Sequence, residues 1–89
     1  MGTCLQGYIS ATYQQLVAVF GEPDYTDPSG DGKVNTEWEM YTEEYGPVTI
    51  YDWKDYDGGE RSRSGEVYEW HIGGKQKSAV WYIQDKLGL

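Results

Sequence analysis

The 89 residues have room for one domain, and a chain of this length hides only about 60–65% of its unfolded surface, so its core is thin. A net charge of −8 argues against non-specific nucleic-acid binding, which needs a basic surface. A single cysteine, Cys4, rules out an intrachain disulfide, and no apolar run approaches the ~20 residues of a membrane-spanning helix.

The N-terminal MGTCLQGY has neither a basic region nor a long apolar stretch, so it does not read as a secretory signal, and the expectation is a soluble cytoplasmic protein. Residues 3–9 form a short first strand. Ser10 stands where a helix N-cap belongs, and Tyr13, Leu16, Val17 and Phe20 then fall on one helical face. Gly21 and Pro23 stop that helix, which is too short to stand without packing on a sheet.

Residues 33–41 alternate. Val34, Thr36, Trp38 and Met40 face one way, and Asn35, Glu37, Glu39 and Tyr41 the other. After a turn over 42–46, residues 48–54 set Val48, Ile50 and Asp52 against Thr49, Tyr51 and Trp53. Apolar bulk on both faces marks a central strand. A polar loop over 55–65 leads to a strand over 66–72, with Tyr68, Trp70 and Ile72 opposite Val67, Glu69 and His71. Gly73-Gly74 is expected to break this strand before a helix over 75–87, whose buried stripe is Ala79, Val80, Ile83 and Leu87. The order β-α-β-β-β-α predicts an α+β two-layer sandwich, with an antiparallel three- to four-stranded sheet and both helices on one face. The other face would stay open unless a second copy covers it, which predicts a homodimer.

Fourteen residues are aromatic, and eight of them lie between Trp38 and Trp70. So thin a core cannot hide them all, and exposed rings bind. Charge is uneven as well. Residues 22–60 hold twelve acids and two lysines, a balance of −10, while residues 61–89 balance at +2.

Catalytic and metal chemistry find little support. Asp27-Pro28-Ser29-Gly30-Asp31-Gly32 resembles the start of a calcium loop, but its twelfth position is Trp38 where a bidentate Glu is needed. The paired carboxylates fall mostly in turns, where water equalises them. One His and one Cys make no zinc set, and nothing sets a nucleophile beside His71. Neither a metal nor a cofactor is expected, and no enzyme.

Binding is better supported. Gly73, Gly74 and Lys75 lead into a helix start, where free N–H groups favour a phosphate, with His71 and Lys54 adding positive charge. Tyr51, Trp53 or Trp70 would stack on a base, a contact worth about 1–3 kcal/mol. The alternative is an acidic interface of Glu37, Glu39, Glu43, Glu44, Asp52, Asp55 and Asp57, with exposed tyrosines as anchors.

Phe20-Gly21-Glu22-Pro23 closing a short helix, Ile50-Tyr51-Asp52-Trp53-Lys54, and Trp70-His71-Ile72-Gly73-Gly74 together resemble a group of small proteins encoded by tailed bacteriophages, over residues 5–87. The resemblance brings no catalytic residues. It implies a counter-defence factor in the host cytoplasm that sequesters a nucleotide-type immune signal. The alternative it leaves open is an acidic, nucleic-acid-mimicking inhibitor of a host defence nuclease.

Overall fold

A computed structural model describes residues 4–26, 33–54 and 59–89. The candidate calcium loop at 27–32 therefore lies outside the described residues, as do Asp55 and Asp57. The elements follow the expected order: β1 (Cys4–Ala11), α1 (Tyr13–Phe20), β2 (Glu37–Thr42), β3 (Gly46–Tyr51), β4 (Tyr68–Gly74) and α2 (Ser78–Leu87). The strands form one antiparallel sheet in the order β1-β4-β3-β2. Both helices cover the same face, so the architecture is the α+β two-layer sandwich.

The alternation visible in the sequence decides which side chains meet the helices. Ile9, Ala11, Trp38, Val48, Ile50, Trp70 and Ile72 point inward from the four strands. They meet Leu16 of α1 and Ala79, Val80 and Ile83 of α2. Trp38 and Trp70 lie edge to face, with ring centroids 5.4 Å apart. A buried indole needs an acceptor for its N–H. Trp38 Nε1 donates to the Gly21 carbonyl at 2.8 Å and Trp70 Nε1 to the Ala11 carbonyl at 3.0 Å.

Strand β3 lies two to three residues earlier than expected, β4 two residues later, and α2 begins at Ser78 rather than 75; three further differences have a clear local reason. Strand β1 runs on to Ala11, because Ile9 and Ala11 both bury their side chains, so Ser10 is mid-strand and the N-cap is Thr12. There the Thr12 hydroxyl accepts from Gln15 N and the Gln15 side chain accepts from Thr12 N, a reciprocal capping box. Strand β2 starts only at Glu37, because the Asn35 and Thr36 N–H groups both donate to the Asp52 carboxylate rather than to a ladder. Gly73 and Gly74 do not break β4. They pair with Leu5 and Cys4 on one side and with Thr49 and Val48 on the other. A Cβ on Gly73 would overlap the Thr49 hydroxyl, and one on Gly74 would sit 2.6 Å from Ala79 Cβ. These glycines serve close packing of strand on strand and helix on strand, not a turn.

Candidate functional site

The face of the sheet away from the helices gathers one residue set from every strand. Register sets His71 of β4 opposite both Tyr8 of β1 and Tyr51 of β3. Trp53 follows two residues after Tyr51 on the same face. The His71 imidazole is the hub of the cluster. Its centroid lies 4.8 Å from Tyr8, 5.5 Å from Tyr51 and 6.0 Å from Trp53. Tyr8 is 48% exposed and Trp53 37%, so both offer ring surface to solvent. Two ammonium groups flank the indole: Lys54 Nζ at 5.5 Å and Lys33 Nζ at 6.0 Å from the Trp53 centroid. Lys54 takes a left-handed backbone conformation (φ 58°), which ends the extended run and turns the chain at the rim of the face.

Beside this cluster runs a shallow groove of about 260 Å³, lined among others by Leu5, Glu37, Glu39, Thr49, Tyr51 and Trp53. Gly73 forms part of its floor, and with no side chain there the groove stays open. A second depression of about 250 Å³ lies across Trp53 and brings in Arg61, Tyr68 and His71. Trp53 is thus a wall shared by two shallow grooves, with Lys33, Lys54 and Arg61 around it.

Glu37 is not an ordinary surface acid. Glu37 is half-buried, and burial, a hydrogen bond with the Glu39 side chain, and the charges of Glu39, Asp24 and Asp52 push its pKa from 4.5 up to about 8. At neutral pH Glu37 therefore keeps its proton and donates to the Glu39 side chain. Burial, and next the charge of Glu37, also raise the Tyr51 phenol, which stays protonated.

Of the expected binding residues, Tyr51, Trp53, Lys54, His71 and Gly73 come together on this face. The other three do not join them. Trp70 is 0% exposed and packed between Trp38 and Tyr68, so neither of its ring faces is open to a base. Gly74 lies under α2. Lys75 is exposed on the connection from β4 to α2, near Gly46, away from the rings. The expected phosphate cradle does not form either, because both glycines sit within the β ladder and α2 begins at Ser78 after Lys77, which makes no side-chain cap.

The expected acidic interface divides too. Glu37 and Glu39 belong to the open face. Glu43 and Glu44 lie at the β2–β3 turn and line a separate open depression of about 500 Å³ with Tyr45, Trp81, Tyr82 and Asp85. Asp52 is 0% exposed and is no surface acid. Its carboxylate accepts from Asn35 N at 2.7 Å, Thr36 N at 2.9 Å and Ser62 Oγ at 2.9 Å, tying the loop before β4 to the approach to β2. Arg63 closes the same knot, donating to Thr36 Oγ1 at 2.8 Å and to the Thr26 carbonyl at 3.1 Å.

Sequence reasoning missed Tyr8, Arg61 and the exposed Trp81. Tyr8 was within reach, since it sits in a recognised strand one residue out of phase with the buried Ile9. Trp81 was legible as well, since it falls off the Ala79, Val80, Ile83 and Leu87 stripe, whereas Arg61 lies in a loop that has no periodicity to read. The chain matches no family model, no curated protein and no solved structure.

Proposed function

We propose that the chain is a non-enzymatic binding protein that takes up a nucleotide on the open face of its sheet. The observation that carries this reading is the convergence of Tyr51, Trp53 and His71 beside a solvent-open groove, with Lys33 and Lys54 flanking the indole. The base stacks on the exposed Trp53 ring, with Tyr51 standing edge-on beside it, and its edge meets Glu37 and Glu39. The phosphates run past Trp53 toward Lys33, Lys54 and Arg61. The Glu37 proton matters here, because two full negative charges at the groove would repel the ligand. In line with the resemblance to tailed-phage proteins, the ligand is a nucleotide-type immune signal that the protein sequesters in the host cell without chemistry.

Calorimetric titration against cyclic dinucleotides, cyclic trinucleotides and ADP-ribose derivatives tests the reading. At least one should release heat and raise the melting temperature, and Trp53→Ala with Lys54→Ala should abolish both effects. Absence of heat and of thermal shift with every ligand would sink it.

One observation favours the rival inhibitor of a host nuclease. Trp81 is 62% exposed at a depression lined by Glu43, Glu44 and Asp85 against the single cation Lys86, an aromatic anchor with a net acidic surround of the kind a basic protein surface would meet. Salt-sensitive capture of a nuclease that is lost in Trp81→Ala, and kept in Trp53→Ala, would decide for it.

A further inference from the structure

The two edges of the sheet are not alike. The β2 edge is covered where it begins: Tyr25 N donates to the Glu37 carbonyl at 3.1 Å, Glu37 N to the Tyr25 carbonyl at 2.9 Å, and Glu39 N to Asp24 Oδ2 at 2.6 Å. The β1 edge has no such cover. Among the described residues, no backbone group pairs with its outer side. An unpaired strand edge is a template for another strand, and proteins ordinarily blunt it with charge, proline or a short length. Strand β1 has eight residues, CLQGYISA, with no proline and no charged side chain, in a chain whose net charge is −8. Its bulge falls between Leu5 and Gly7, and the pairing from Gly7 to Ala11 is regular.

We infer that β1 pairs antiparallel with the β1 of a second copy, joining two four-stranded sheets into one of eight strands. Charge selects the occupant and the geometry. Two copies, each at −8, repel wherever their acids meet. Packing open face on open face would bring Glu37 and Glu39 of both copies together. Edge-to-edge contact along β1 brings together a strand without charge, with Leu5 and Tyr8 about half exposed beside the seam. Because the β2 edge is covered at Glu37 and Glu39 and carries both acids, it is a poor partner for the uncharged β1 edge, so the pairing joins like edges and closes as a two-fold dimer. The two-fold axis runs through the sheet, so both helix layers fall on one side and both aromatic faces on the other, with the two copies of Tyr8 flanking the junction.

Sedimentation equilibrium over a concentration series tests this without any nucleotide, so its result is independent of the binding reading. The expected result is a dimer whose dissociation constant falls as salt rises, since screening removes repulsion and no ion pair is lost. Tyr8→Lys with Ser10→Lys should give a monomer, although the added lysines reduce the self-repelling charge. Tyr41→Lys on the β2 edge should leave the dimer intact. If the lysine pair prevents folding, hydrogen exchange of the unaltered protein replaces it, and the β1 amides should gain protection as concentration rises. A monomer at every concentration, a dimer that survives the β1 substitutions in a folded protein, or β1 exchange independent of concentration would overturn the inference.

Discussion

Two carboxyls a short distance apart show how placement decides what an acid does. Glu37 keeps its proton because burial and the neighbouring acids oppose its charge. Its pKa is raised above the unfolded value, so the folded state holds the extra proton between about pH 4.5 and 8. Stability from this group is full below pH 4.5 and is lost as pH rises through about 8. Glu37→Gln removes the difference. In melting experiments from pH 5 to 9 the native protein should lose stability relative to the variant, most steeply between about pH 5.5 and 7.5, and the loss should level off above about pH 8. A constant gap across that range would show that Glu37 titrates normally. Asp52 is the opposite case, a buried carboxylate held by two backbone N–H groups and the Ser62 hydroxyl. Asp52→Ala strands those donors away from water and should cost roughly 3 kcal/mol of unfolding free energy, measured by urea titration. The alternation of Val48, Ile50 and Asp52 already pointed this acid inward, so its grouping with the surface acids contradicted a pattern that was readable.

At the scale of elements, periodicity carried the fold and local composition misled at the ends. Alternation placed Tyr68, Trp70 and Ile72 on one face, and Tyr51 and Trp53 on one face of the neighbouring strand. What it could not supply was the register, Ile50 opposite Ile72, that puts Trp70 inside and His71 beside Tyr51. Register depends on tertiary pairing, so the choice of Trp70 as a stacking residue failed while Trp53 joined the cluster. The capping box Thr12-x-x-Gln15 was legible as a motif and was masked by Ser10, another good cap residue. Thr12→Ala should cost about 1 kcal/mol. Glycine pairs read as breaks because propensity describes an isolated segment. Gly74 is kept flat by two neighbouring strands and is needed by the helix above it. Gly74→Ala forces α2 away from the sheet and should cost about 1–3 kcal/mol in the same urea titration, more than the cap variant in spite of adding a methyl group.

For the whole molecule, the question is how a chain at −8 holds an anion, and the answer depends on range. The principal extents are 34 × 27 × 19 Å. At 0.01 M salt the screening length is about 30 Å, so an approaching nucleotide feels nearly every acid at once. At 0.15 M it is about 8 Å, and the ligand beside Trp53 feels chiefly Lys33, Lys54 and the half-neutralised Glu37–Glu39 pair. Moderate salt therefore removes long-range repulsion while leaving the local attraction largely in place. Nucleotide affinity should hold or rise between 0.01 and 0.15 M salt, with the gain in the association rate, as stopped-flow quenching of tryptophan fluorescence would record. Lys54→Ala removes part of the local attraction and should weaken binding at both salt concentrations. Acid-mediated capture of a basic protein has the opposite sign, because screening then weakens a long-range attraction. A several-fold loss of affinity for the nucleotide over this interval would mean that its phosphates meet a far more cationic surface than the rim of Trp53 provides.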